Sequence, residues 1–277
     1  MNTVDLHPTR PIGIFDSGLG GLTVFKAIVR LLPQERLIYL GDTARVPYGT
    51  KSSATVTRYS EENTAFLIQH QVKAVVVACN TASAYAVPTL KQESAIPLLG
   101  VLEPGAARAC HVSREGRIGV IGTAGTVASG AYEQAIRRIR SDATVTTKAC
   151  PLFVPLAEEG WLNRDETYSI ARHYLQPLLD GGLDTLILGC THYPMLHGVI
   201  QDVVGPEVQL IDSAQAVAEA LQETLREQDL LRGHGTEPGA ASSAPIEHRF
   251  FVTDDPARFR QVGEVFLGHS IDNVQLV

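Results

Sequence analysis

A chain of 277 residues with 44% apolar content is long enough for one large or two ordinary domains with full cores. Its formal net charge of -7, without Lys/Arg runs, argues against nucleic acid or an anionic membrane surface as the main partner and leaves a small ligand. Four cysteines at this length are too few for a disulfide scaffold, MNTVDLHPTRP lacks a basic-then-apolar leader, and no apolar run nears the roughly 18 residues of a membrane span, so a cytoplasmic protein with free thiols is expected.

Short apolar runs alternate with segments of helical period along the chain. The first predicted strand, Ile12 to Asp16, ends in FDSGLGG, which is neither G-x-G-x-x-G nor a Walker sequence. What remains is Asp16 beside Ser17 at a strand tip, with amides presented by Gly18, Gly20 and Gly21; the carboxylate either caps the next helix or serves a site. Helix Leu22 to Leu32 and strand Leu37 to Gly41 follow, then GDTARVPYGTKS (41–52), a polar loop of the kind that carries ligand contacts. Helix Ser52 to His70 leads to strand Ala74 to Ala78, which stops at Cys79 and hands over to Asn80-Thr81. Strands are next predicted at Leu98 to Val101, Arg117 to Gly122 and Thr144 to Lys148, with a helix over Ala131 to Arg140. PLFVPLAEEG (151–160) then brings Glu158 and Glu159, of which one is expected to face a cleft. Helix Asp165 to Leu179 precedes strand Thr185 to Gly189, which stops at Cys190 and continues as Thr191-His192. Strand Val208 to Ile211, helix Ala214 to Leu230, a loop or disordered excursion over RGHGTEPGAASSAP (232–245), strand His248 to Val252 and a last helix complete the chain. This alternation predicts α/β layers around mostly parallel sheets, with ligands at the carboxyl ends of the strands.

The halves echo each other. PIGIFDSGLGGLTV (11–24) parallels GRIGVIGTAGTVASG (116–130), and Cys79 and Cys190 occupy matching positions 111 residues apart. Two similar units with a cleft between them are therefore expected, with a thiol on each side. A thiol at a helix N-terminus gains from the amide dipoles, which lower its proton affinity toward neutrality. Cys110 and Cys150 lack such flanks and read as small buried hydrophobes. Cys190-Thr191-His192 lacks zinc-ligand spacing, no second cluster completes four ligands, and no C-x-x-C is present, so neither a metal nor disulfide chemistry is expected. His192 is placed to tune the proton affinity of Cys190 or to donate to a ligand carboxylate.

The segments IGIFDSGLGGLTV, YLGDTARVPYGTKS, VVACNTASA, FVPLAEEG and LILGCTHYPML, in this order, resemble the glutamate racemases of the cofactor-independent aspartate/glutamate racemase superfamily. The resemblance runs from about Pro11 to Ile211. It implies two pseudo-symmetric three-layer α/β/α domains around an interdomain active-site cleft, residues 1–102 plus 212–277 forming the first and 103–211 the second. It further implies interconversion of L- and D-glutamate without a cofactor, supply of D-glutamate for peptidoglycan, and a homodimer. By the same resemblance Cys79 acts on the Cα proton of D-glutamate, assisted by Asp16, and Cys190 on that of L-glutamate, assisted by His192 and Glu158. Substrate contacts carry over onto Asp16, Ser17, Tyr48, Gly49, Asn80, Thr81, Thr191 and His192, with Thr123 and Thr126 as additions. The alternative is a racemase of the same superfamily acting on aspartate or another substrate, because one methylene is worth only about 1–3 kcal/mol of discrimination. A non-catalytic amino-acid-binding protein is the rival outside the enzymes, and the intact set of Cys79, Cys190, Asp16 and His192 speaks against it.

Overall fold

In the computed structural model, residues 6–233 and 246–277 are described; nearly all of the Gly/Ser/Ala/Pro-rich stretch expected to be a loop at 232–245 lies outside them. Two parallel sheets organise the chain. The first contains β1 (Ile12–Asp16), β2 (Leu37–Gly41), β3 (Ala74–Val77) and β4 (Leu98–Gly100) in the order β2-β1-β3-β4. The second contains β5 (Arg117–Gly122), β6 (Thr144–Ala149), β7 (Thr185–Gly189) and β8 (Gln209–Asp212) in the order β6-β5-β7-β8. The two orders are the same, which is the duplication that the sequence echo anticipated. Among the described residues only the first sheet is extended, by β9 (Arg249–Val252) beside β2 and by β10 (Val274–Leu276) beyond it. The sequence reading has no counterpart for β10: three half-exposed or exposed residues at a sheet edge carry no hydrophobic period.

Among the described residues twelve α-helices join these strands: α1 (Leu22–Leu31), α2 (Ser53–Gln69), α3 (Asn80–Tyr85), α4 (Val87–Glu93), α5 (Leu102–Val112), α6 (Ala124–Ala128), α7 (Ala131–Ile139), α8 (Phe153–Glu158), α9 (Asp165–Leu179), α10 (His197–Val204), α11 (Ser213–Glu227) and α12 (Pro256–Leu267). Strands such as IGIFD, AVVV and TLILG are buried throughout, as parallel strands covered on both faces must be. Alternate residues then serve opposite layers. Ile12, Ile14 and Val76 pack with Phe25 of α1, Val217 of α11 and Phe259 of α12, whereas Phe15, Val75 and Val77 pack with Leu67 of α2 and Leu90 of α4. In the second sheet Leu186 and Leu188 meet α9 and α10, and Ile118, Val120 and Ile187 meet α5 and α7.

The chain crosses between sheets after β4, through α5, and returns after β8, through α11; these two helices pack on each other. At the amino ends of the first sheet, the fully buried Lys73 ammonium donates to both Glu35 carboxylate oxygens at 2.8 and 2.6 Å and to the carbonyls of Pro8 and Leu230. That knot ties α11's exit to the first sheet, far from the opposite ends of the strands. Register aligns those opposite ends: Asp16 lies beside Gly41, and Phe15 beside Val77, two residues before Cys79. In the second sheet Gly122 lies between Ala149 and Gly189, immediately before Thr123, Cys150 and Cys190.

Candidate active site

At the tip of β1, Asp16 is fully buried, and its Oδ2 accepts from the Gly18 amide at 3.0 Å. Its Oδ1 has no hydrogen-bond partner among the described residues. The helix-cap reading does not hold, because the N-cap of α1 is Gly21 and no side chain caps it. Gly21 is required for close approach: a Cβ there would lie 2.5 Å from Asp16 Cβ and 2.8 Å from the Tyr39 hydroxyl. Burial raises the proton affinity of Asp16, with the charge of His192 and the amides of Gly21, Gly18 and Ser17 pulling the other way.

Cys79 is the N-cap of α3 and only 6% exposed. The expected lowering of its proton affinity is overturned. Burial pushes the Cys79 thiol up to about 12, and the Asp16 carboxylate pushes in the same direction, against the Ala82 amide and the Ser17 hydroxyl. A helix of six residues offers few aligned dipoles, and desolvation outweighs them.

The polar loop 42–50 is organised by a residue that the sequence reading passed over. Asp42, fully buried, accepts from Arg45 Nε at 2.9 and 2.7 Å, from the Thr253 hydroxyl at 2.9 Å and from the Tyr48 hydroxyl. Asn63 Nδ2 donates to the Tyr48 oxygen at 3.1 Å, and the Arg45 guanidinium lies 4.2 Å from the centre of the Tyr59 ring. Tyr48 is 1% exposed, so its orientation is set by this network. Gly49 follows it into the contact with the other half.

On the second sheet, Cys190 is also 6% exposed. It does not enter an α-helix directly, as the sequence suggested: a 3₁₀ turn, Tyr193–Leu196 with Pro194 near its start, intervenes before α10. The turn folds His192 back onto the thiol. His192 Nδ1 is 3.7 Å from Cys190 Sγ, and Nε2 is 2.9 Å from Glu158 Oε1 at the end of α8. Burial alone would favour neutral imidazole, but the hydrogen bonds and negative charges of Cys190 and Glu158 outweigh it and raise His192 from 6.5 to about 10. The same hydrogen bond holds the Glu158 carboxyl below its ordinary range, against burial. Of the expected acidic pair, Glu158 takes this place while Glu159 is exposed.

The two strand-end clusters meet across the cleft. Thr81 of α3 lies 2.8 Å from the Thr123 hydroxyl and 3.0 Å from that of Thr126, and Thr123 also caps α6. Thr23 donates to the Thr191 carbonyl at 3.2 Å, and Tyr85 to the Gly125 carbonyl at 2.8 Å. Gly20 rests against Thr191 and His192, leaving no room there for a Cβ. Tyr132 of α7 donates to Asn80 Oδ1 at 2.6 Å. The thiols are near enough that a charge on Cys190 raises the proton affinity of Cys79. Ser17 lies within reach of Cys79, and all the other residues expected at the site fall in these contacts. A cavity of about 330 Å³ opens beside them, lined by Gly18, Val46 and Glu158 among others. Among the described residues no group of three His, Cys, Asp or Glu is arranged to hold a metal ion, and no helix is long and apolar enough to cross a membrane. Asp42 and Tyr132 were missed because each touches an expected site residue, Tyr48 or Asn80, only through a hydrogen bond formed on folding; the only signal for Asp42 was its place in GDTARVPYG.

The sequence matches the Asp/Glu/hydantoin racemase family over residues 12–221. It is 54% identical over 270 residues to a glutamate racemase of Geobacter metallireducens, covering 98% of this chain and 97% of that one. It is 47% identical to a glutamate racemase of Syntrophus aciditrophicus, covering 100% and 98%. The fold superposes on a glutamate racemase of Francisella tularensis, solved in complex with D-glutamate, with a TM-score of 0.88 at 38% identity and 98% coverage of both chains. An isoform from Bacillus anthracis gives a TM-score of 0.91 at 39% identity and the same coverage. An aspartate racemase of Picrophilus torridus, 18% identical with a TM-score of 0.54, shares the fold alone. With the family matched over most of its length and full-length relatives near half identity, this chain belongs to the Asp/Glu/hydantoin racemase family, on the side of its glutamate racemases.

Proposed function

We propose that this protein is an isomerase that interconverts L- and D-glutamate by proton transfer at Cα, supplying D-glutamate for peptidoglycan. The observation that carries the reading is the pairing of two buried thiols at equivalent strand ends, each with its own titrating neighbour: Asp16 beside Cys79, and the Glu158-supported His192 beside Cys190. Inversion at carbon needs a base on one face and an acid on the other. A single base would return the proton to the face it came from.

In the L-to-D direction, Cys190 as thiolate takes the α-proton. The electron pair left on Cα is delocalised into the α-carboxylate, and the Cys79 thiol delivers its proton to the opposite face. The thiols are left with their proton states exchanged, and D-glutamate is the substrate of the reverse step. Asp16 assists Cys79, and His192 with Glu158 assists Cys190. No step requires a cofactor. Ser17, Tyr48, Gly49, Asn80, Thr81, Thr123, Thr126, Thr191 and His192 hold the carboxylates and ammonium through hydroxyls, amides and one imidazolium. Fixed donors of this kind stabilise the carbanion as its charge develops, because they need no reorganisation.

The same reading assigns residues 1–102 and 212–277 to one domain and 103–211 to the other, with closure of the two forming the site, a homodimer as the assembly and the cytoplasm as its location. The test is circular dichroism of L-glutamate incubated with purified, metal-free protein, run alongside Cα-proton exchange in D2O. Decay of the signal to zero, with exchange on glutamate and not on aspartate, is expected. Equal turnover of aspartate would move the assignment to another substrate of the family, and exchange without loss of optical activity would remove the two-base scheme.

A further inference from the structure

Tyr132, to which no role has been assigned, touches both halves of the site. It lies in α7 of the second sheet's layer, 2% exposed, and its hydroxyl donates at 2.6 Å to Oδ1 of Asn80, the residue that follows Cys79 in the other half. The same hydroxyl lies 3.1 Å from Oγ of Ser213, the first residue of α11, where the chain returns to the first half. Its ring covers Gly189, immediately before Cys190, where an added Cβ would come within 3.2 Å of Tyr132 Cε2. One phenol thus touches the residue after one thiol, the residue before the other, and the return crossing.

We propose that Tyr132 is a positioning residue that fixes the amide of Asn80, so that Asn80 Nδ2 is the end presented to a substrate carboxylate. A phenol has one proton. With that proton given to Asn80 Oδ1, the single Ser213 hydroxyl proton goes to the Tyr132 oxygen at 3.1 Å in preference to the Leu188 carbonyl at 3.5 Å, and the chain Ser213 to Tyr132 to Asn80 runs in one direction. The end of the Asn80 side chain not taken by Tyr132 is then its two N–H donors. A flipped amide would present Oδ1 to an anion, and an unpinned amide would divide its time between the two orientations. This inference rests on the reading of Asn80 as a substrate contact.

The test is a kinetic double-mutant cycle on the full chain with both enantiomers, with thermal melts confirming the fold. Tyr132→Phe keeps the ring over Gly189 and removes only the hydroxyl. A rise in KM of roughly tenfold for L- and D-glutamate is expected, the size of one lost buried hydrogen bond, with kcat held within about threefold. Asn80→Ala is expected to raise KM at least as far, and adding Tyr132→Phe to it to raise KM no further. A folded Tyr132→Phe variant with unchanged KM overturns the proposal, and so does a cycle in which the two effects multiply independently, because a purely structural tyrosine would do that. Should Tyr132→Phe fail to fold, Ser213→Ala takes its place, with a smaller KM rise that must vanish in the Asn80→Ala background. The two layers of inference fail separately. A wild-type protein that does not racemise glutamate removes the assigned function; an active protein indifferent to Asn80→Ala removes the Asn80 contact and this inference with it, and leaves racemisation standing.

Discussion

The two thiols are equivalent in position but not in electrostatics. Cys79 faces a carboxylate and burial, which together keep its proton on. Cys190 faces an imidazole that Glu158 and the thiol itself hold in the charged form. On the proposed mechanism, a proton donor on the Cys79 side and a cation on the Cys190 side are the arrangement that would receive L-glutamate. Cys79→Ala and Cys190→Ala are each expected to lower racemisation by at least about a thousandfold while the melting profile is kept, since on the proposed mechanism each removes one of two proton carriers; near-wild-type activity in either would end the two-thiol scheme. The His192–Glu158 pair also links stability to pH. His192 is raised above its unfolded value of 6.5, so its contribution is complete below about 6.5 and lost as the pH climbs through about 10. Glu158 is held below 4.5, so its contribution is complete above that value and lost as the pH falls further. Thermal melts of wild type and Glu158→Gln should accordingly differ most on the plateau from about pH 4.5 to 6.5 and converge toward pH 10. A constant difference across that upper window would show that the pair carries no charge-dependent stability.

At the scale of elements, what the sequence showed well was what periodicity encodes. The strands carrying Asp16, Cys79 and Cys190 read directly, because their continuous apolar runs stop where the polar tip begins, and β1 and β7 end in the structure where the runs ended. Two things were not legible. The Tyr193–Leu196 turn after Cys190 depends on local hydrogen bonds rather than on a hydrophobic period, and the high proton affinity of Cys79 depends on burial among β1, β2 and α2 residues and on the Asp16 carboxylate, which only folding brings to it. Asp42 belongs with these. It is one polar residue in a polar loop until folding brings Thr253 to it across 211 positions. Asp42→Ala would leave Tyr48, Arg45 and Thr253 without their buried acceptor, at a cost of about 3 kcal/mol. Differential scanning calorimetry should show a melting temperature lower by roughly 6–12 °C, together with a raised KM for glutamate as Tyr48 and Gly49 lose their seat. Asp42→Asn, which keeps one acceptor oxygen, should lose less; an equal loss in the two variants would mean that the charge rather than the acceptor geometry organises the loop.

For the whole molecule, duplication explains both the chemistry and its main constraint. Two units with the same strand order bring equivalent strand tips into contact, and on the proposed mechanism this is how a single chain supplies a base to each face of a carbon atom. The thiols at these facing tips are each only 6% exposed, so the proposed mechanism needs the two units to meet closely around the substrate. The contact of Gly49 with Thr123 is where this is most exacting: a Cβ at position 49 would lie 2.5 Å from Thr123 Cβ and 2.8 Å from its Oγ1. Gly49→Ala should therefore act as a wedge between the units without disturbing either, because all three nearest atoms it would meet belong to Thr123 across the cleft. The expected result is a melting temperature within a few degrees of wild type but kcat/KM for glutamate lower by roughly a hundredfold, about 2.7 kcal/mol of transition-state stabilisation. Thr123→Gly removes all three of those atoms at the cost of the α6 cap and the hydroxyl contact with Thr81, and is expected to be impaired by itself. The decisive quantity is the effect of Gly49→Ala in that background. If the units fail to close because of a steric wedge, adding Gly49→Ala to Thr123→Gly should cost several-fold less in kcat/KM than adding it to wild type. An identical penalty in both backgrounds would place the requirement for glycine in the loop itself rather than in the meeting of the two units.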